Sequence, residues 1–200
     1  MEPHADNERS FETITAKCAE IYRSAGEITP CALADAIMRD ENIPMHNFAH
    51  HYLVPAVLMT LVCRKKGCDT DDYVRKMAET ERRAKNVLPA FCGFYGACGA
   101  AIGVGIFMSV YTGTTPLSKD TWGMCNMSTV EALKRMAEIG GPRCCKRNTF
   151  LALQSGSESV RKYLDIDIAS DDAIECGFSK FNAECLKEDC PFYKKAAGGA

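Results

Sequence analysis

Apolar side chains recur at helical spacing along almost the whole chain. From Ser10 to Ala25 they fall at Phe11, Ile14, Cys18, Ile21 and Tyr22; from Pro30 to Arg39 they fall at Leu33, Ile37 and Met38, behind a Thr29 cap and a first-turn proline. A third helix is expected to start near His46 and run to Gly67, apolar from Tyr52 to Cys63 and kinked at Pro55. Apolarity on every side predicts a core helix. Asp71 to Lys85 is highly charged, with Tyr73, Val74, Met77 and Ala84 as its only apolar side, and is expected on the surface. Ser128-Thr129-Val130-Glu131 reads as a capping box that opens a helix through Leu133, Met136 and Ile139 to a stop at Gly140-Gly141. Pro142 then opens another, reaching about Tyr163.

Between these helices lies a stretch without charge, Asn86 to Ser118, in which Gly99 and Gly103 have the spacing of closely packed helices. Pro89, Gly93, Gly96 and Gly113 interrupt it, leaving a helix of about 15 residues where a bilayer needs roughly 20. A buried central helix is expected instead of a membrane span. Few strands and no long repeat are visible. The predicted fold is all-α: a compact, bundle-like domain with a central Gly-rich buried helix and a short Cys-rich C-terminal metal-binding tail. Residues 1–9 are expected to be disordered, 10–164 to form the helical domain, 165–175 an acidic hinge, and 176–193 the tail packed on the domain, with fraying from Ala196 to Ala200.

Composition narrows the function. A chain of 200 residues can bury a core without staples, and its formal charge of -2 gives no electrostatic footprint for nucleic acid or an anionic membrane. Yet it carries 12 cysteines, which such a core does not need. The N-terminus, with Glu2, Asp6 and Glu8, lacks the basic patch and apolar run of a signal peptide, so a reducing cytoplasm is the expectation. There, clustered cysteines point to metal or redox chemistry before disulfides.

Three segments hold seven of the cysteines. Cys176, Cys185 and Cys190, the last followed by Pro191, sit in loop-like sequence with little apolar surface, as in a tail held by metal. Their spacing fits no standard zinc or ferredoxin pattern, and one ligand position is left to fill. Cys92 and Cys98 lie among Gly93, Gly96 and Gly99, where backbone can approach a cofactor or an anion at a helix start. Cys144 and Cys145 follow Gly140-Gly141-Pro142-Arg143 and precede Lys146-Arg147, so helix dipole and cations favour thiolate; they are candidate ligands or a redox pair, with only one facing a given centre. Cys18, Cys31, Cys63, Cys68 and Cys125 are isolated and read as packing residues.

Three of the four histidines, His46, His50 and His51, fall within six residues, and His46 and His50 would share one helical face, a spacing suited to metal binding or proton transfer. The leading expectation is a cytosolic iron-sulfur protein, 4Fe-4S in type, with Cys176, Cys185 and Cys190 joined by one of Cys92, Cys98, Cys144 or Cys145. An open iron would make it a lyase, sulfur-transfer or redox enzyme on a small anionic or sulfur-containing molecule. Arg143, Lys146 or the helix N-terminus at Gly99 would then hold the anion, Gly96 and Gly99 would admit the cofactor, and His46, His50 or His51 would move protons. The alternatives are a non-catalytic zinc or electron-transfer module, and a thiol redox protein using Cys144 and Cys145.

Taken together, Met45-His46-x3-His50-His51, Phe91-Cys92-Gly93-Phe94-x-Gly96-Ala97-Cys98-Gly99-Ala100, Thr115-Pro116-Leu117-Ser118, Gly140-Gly141-Pro142-Arg143-Cys144-Cys145-Lys146-Arg147 and the Cys176/Cys185/Cys190 tail resemble the family called domain of unknown function 5714. The resemblance covers roughly residues 40–193. It implies a prokaryotic cytosolic protein whose relatives stand alone or are joined to S-adenosylmethionine-dependent domains, which makes such a protein, or a redox partner, an expected companion. It implies no activity.

Overall fold

The computed structural model describes residues 3–169 and 174–194, with side chains from Asn7 onward. Among these residues eight helices follow in order: α1 (Pro3–Arg23), α2 (Pro30–Met38), α3 (His50–Lys66), α4 (Thr70–Ala84), α5 (Phe91–Phe94), α6 (Gly99–Thr112), α7 (Asp120–Ile139) and α8 (Cys145–Leu164). Among the described residues the extended structure is a single parallel bridge, Cys176 with Tyr193. The fold is all-α, as the helical periodicity demands.

The middle of the molecule is α3, which touches α1, α2, α4, α6 and α8. From Tyr52 to Cys63 every side chain is buried, which is the outcome of an apolar pattern with no polar face. Pro55 sits inside this helix and, lacking an N–H, leaves the His51 carbonyl without its helical donor. The chain uses that gap. Gly103 of α6 lies directly over it: a Cβ at this position would stand 2.9 Å from the His51 oxygen and 2.8 Å from Pro55 Cδ. One turn earlier, Gly99 rests on the His51 ring, and on a neighbouring face Gly105 meets Thr129 of α7. Glycines on α6 thus let three helices close to near backbone contact, and α6, 14 residues long, is the buried central helix. No helix among the described residues is long and apolar enough to cross a membrane.

Several boundaries differ from the pattern-based ones, each for a local reason. α1 begins at Pro3, within the stretch expected to be disordered. α3 begins at His50, because Asn47 turns back on itself: its side-chain oxygen accepts from the Ala49 N–H at 2.7 Å. His46 therefore lies before the helix and does not share a helical face with His50. Ser128 does not open a helix; α7 starts at Asp120, and the Ser128 hydroxyl bonds back to the Met124 carbonyl at 2.9 Å. α8 starts at Cys145, three residues after Pro142, with Cys144 as its cap. Val74 of α4 is exposed, while Thr80 takes its place on the buried face. Part of the acidic hinge, residues 170–173, and the end expected to fray lie outside the described residues.

Candidate functional site

The tail has little secondary structure, two single 3-10 turns at Ser179–Phe181 and Lys187–Asp189. It is closed on itself by the Cys176 N–H donating to the Phe192 carbonyl at 2.7 Å, and pinned to the helices by two buried aromatics. Phe192 meets Phe150 of α8 edge-on at 5.3 Å, and Phe178 lies under the cations of Arg39 and Lys146 at 5.4 and 5.0 Å.

This packing brings Cys176, Cys185 and Cys190 to one small cavity of about 20 Å³, and the fourth wall is Cys144 of the α8 cap. Each of the four sulfurs accepts a backbone N–H. The Phe178 amide reaches Cys176 Sγ at 3.4 Å, Lys187 reaches Cys185 at 3.4 Å, Arg147 reaches Cys144 at 3.5 Å, and Phe192 donates to Cys190. In the tail the donor is always two residues after the cysteine, so the turn that aims the sulfur inward also aims an amide at it. Such bonds favour thiolate, whereas burial and the neighbouring sulfurs push the Cys176 and Cys190 thiols up. A cation among them would reverse that balance.

A second cavity, about 390 Å³, opens on the other side of the same α8 turn, between the starts of α3, α6 and α8. Cys92, Cys98 and Cys145 line it, with His46, His50 and His51. The consecutive thiols of Cys144 and Cys145 thus serve different cavities. Carbonyls decide the ring tautomers. His50 Nδ1 lies 2.9 Å from the Asn47 carbonyl and His51 Nδ1 lies 3.0 Å from that of Val87, so each donates there and keeps a bare Nε2. His46 is tied through Nε2 to Asn182 Oδ1 of the tail at 3.3 Å. Two of the remaining ring nitrogens, His46 Nδ1 and His50 Nε2, are buried without a partner. Burial, helped by the nearby Lys146 charge, pushes His50 down to about 3, and burial also lowers His51, so both imidazoles are neutral.

The thiols are held as firmly. Cys98 caps α6 and takes a 3.4 Å bond from the Asn148 amide, whose own oxygen is turned away by Arg147 Nε at 3.2 Å. Cys145 takes the Asn47 backbone N–H, but its burial is the larger effect and pushes the thiol up to about 11. Arg143 stands exposed at the mouth.

Three residues expected to hold a cofactor lie elsewhere. Gly96 turns the chain at φ +68° with open space beside it, and Gly99 is occupied by the His51 ring. Lys146 points to the opposite side of α8, fully buried, with its ammonium on the Met38 and Ile43 carbonyls at 3.3 and 3.2 Å; burial lowers it to about 8. Asn47, Arg147, Asn148 and Asn182 orient the site and carried no signal beyond nearness to the motif residues. Arg147 and Asn148, three and four residues past Cys144, had the helical spacing that could have drawn attention. Among the described residues no group of three or more His, Cys, Asp or Glu converges closely enough to hold a metal ion as placed, and none of the twelve cysteines is joined in a disulfide.

No curated protein and no solved structure matches the chain. A family model described as a family of unknown function (DUF5714) matches residues 18–193, beginning ahead of the motif-bearing stretch near residue 40. The matched span takes in the helices from α2 to α8, both thiol clusters and the tail, and the chain belongs to that family.

Proposed function

We propose that the chain is a metal-thiolate protein whose tail is fastened to the helical domain by a centre at Cys144, Cys176, Cys185 and Cys190. One observation carries this: four sulfurs from two distant parts of the chain line one cavity, and each accepts a backbone N–H. An all-thiolate donor set selects iron in sulfur clusters or zinc. Four thiolates around a dication leave a net negative charge, which Arg147 and Lys146 face from the adjacent turn of α8. A cavity of about 20 Å³ holds about one water-sized body, which suits a single ion; a 4Fe-4S cluster requires the tail turns to stand farther off. In either case the bound group completes the site as the tail closes over it, as metal-coupled folding does.

Metal and acid-labile sulfide measured on protein purified without oxygen test this. Iron with sulfide assigns a cluster, one zinc assigns a structural ion, and absence of both from protein reconstituted with each metal overturns the proposal. Cys185→Ala is expected to abolish the bound metal of the tail.

A second reading is that the protein is an enzyme of lyase, sulfur-transfer or redox type acting on a small anionic molecule in the 390 Å³ cavity. It is favoured by the bare nitrogen lone pairs of His50 and His51 inside and Arg143 at the mouth. Arg143→Ala is expected to weaken binding of such an anion without altering the metal of the tail.

A further inference from the structure

The second cavity has the features of a built site. His50 is fully buried and its Nε2 has no protein partner, a cost that in a native fold calls for a partner in the adjoining cavity or a functional role. Its Nδ1–H is tied to a main-chain carbonyl, as is that of His51, which is how proteins orient imidazoles that bind through Nε2. Facing them are thiols from three separate segments: Cys92 of α5, Cys98 at the cap of α6 and Cys145 in the first turn of α8. The Asn148 amide, held by Arg147, favours thiolate at Cys98. No Asp or Glu lines the cavity, so calcium and magnesium find no ligands, while nitrogen and sulfur suit zinc, copper or iron-sulfur groups. As placed, no three of these donors converge on a single ion, and the cavity they line, about 390 Å³, is larger than one ion. That spread suits a cluster bridging the thiols, or an ion toward which these short side chains rotate while carrying a further small ligand.

We propose that this cavity is a second site for a thiophilic metal group, separate from the tail centre, held by Cys92, Cys98 and Cys145 with His50 Nε2 as nitrogen donor. The two sites share no cysteine, so this one stands or falls independently of the tail. Its opening toward Arg143 leaves room for a small anion beside the bound group.

The test uses the full chain, reduced and stripped of metal, then titrated with cobalt(II) and separately reconstituted with iron and sulfide. Bound metal is counted for the wild type and for Cys92→Ala, Cys98→Ala, Cys145→Ala and Cys185→Ala, with helical circular dichroism confirming that each is folded. The wild type is expected to bind two groups. Each cavity variant should retain the tail group alone, and Cys185→Ala should retain the cavity group, with nitrogen as well as sulfur around its cobalt by X-ray absorption. Cys92, on the four-residue α5, supplies a variant that spares the core if Cys145→Ala does not fold. Metal content equal to wild type in the folded cavity variants overturns the proposal. Loss in those variants with none in Cys185→Ala upholds it and removes the tail centre instead.

Discussion

The His51 imidazole lies directly against Gly99, so closely that a Cβ there would fall 2.2 Å from ring carbon Cδ2 and 2.4 Å from Nε2. The ring is therefore held between the Val87 carbonyl, which takes its Nδ1–H, and bare backbone at the start of α6. Gly99→Ala forces the ring out. Overpacking of this kind costs about 1–3 kcal/mol. Gly103→Ala, against Pro55 and the His51 carbonyl, should cost a similar amount by chemical denaturation. Only the Gly99 variant should shift the His51 ring resonances while leaving those of His46 in place.

Arg147 is a keystone of both cavities. Its guanidinium donates to the Gly140 and Pro142 carbonyls at 2.9 and 3.1 Å and to the Asn148 side chain, which in turn reaches Cys98. A lysine ammonium is a single nitrogen and cannot stand where both Nε and an Nη of the guanidinium donate. Arg147→Lys should lose about 1–3 kcal/mol, the cost of leaving one buried and two part-buried acceptors without their donor. The alkylation rate of Cys98 should change as well, which a purely structural arginine elsewhere would not cause.

With the tail centre proposed above, removing its metal should loosen the tail and not the helices. Phe178 and Phe192 are the main apolar anchors there, and the backbone closure is a single bridge. Chelation, or Cys185→Ala, is expected to expose residues 176–193 to limited proteolysis and hydrogen exchange while α3 and α6 keep wild-type protection. Loss of protection throughout would instead make the centre part of the global folding unit.

The packing cysteines should be chemically silent. Burial pushes the Cys18 thiol up to about 12, with only a bond to Thr60 opposing it. At pH 8 about one molecule in ten thousand would then carry thiolate at that position. Iodoacetamide on the folded, metal-free chain should therefore modify Cys92 well before Cys18, Cys31, Cys63 or Cys125, as read by peptide mass.

Asp40 supplies a pH signature. The Asn42 backbone N–H at 3.1 Å, and Lys17 at 3.3 Å, hold its carboxyl below the ordinary carboxylate range despite partial burial. A depressed acid contributes its stability above its unfolded value and loses it as pH falls through the lower folded one. Asp40→Asn should thus cost about 0.5–1.5 kcal/mol at pH 7 by urea denaturation, and the difference from wild type should shrink once the pH drops below the ordinary range.

Helices were legible wherever local chemistry dictated them. Thr29 before Pro30 marks the start of α2, and the Thr29 hydroxyl does accept the Ala32 N–H, at 3.3 Å. The Gly-Gly pair after Ile139 marks the end of α7. What misled was chemistry that works equally well inside a helix. Ser128 looks like a cap, yet its hydroxyl is satisfied by the carbonyl four residues back, so nothing stops α7 from running through it. The same limit applied to the cysteines. Tail spacing grouped three cysteines that the structure brings to one cavity, but it left the fourth open among Cys92, Cys98, Cys144 and Cys145; that Cys144 forms the remaining wall depends on the packing of Phe178 and Phe192 on α8, a long-range event. The assignment of Cys144 and Cys145 to opposite cavities likewise follows from Cys144 being an extended cap and Cys145 the first helical residue, three residues beyond the expected start at Pro142.

That pair of neighbours bears on how the molecule can be taken apart. One peptide unit, with Cα atoms about 3.8 Å apart, separates a wall of the tail cavity from a wall of the helical one. The His46–Asn182 bond crosses between them a second time. Although the tail looks like a detachable appendage in the chain, a version truncated after α8 would leave Cys144 without the cysteines that share its cavity and the His46 ring without its bond to Asn182. Its larger cavity would then no longer be the one found in the intact protein. Domain dissection, the usual shortcut for a protein of this shape, would here alter the object being measured, and single-atom substitutions at the sulfurs are the gentler instrument.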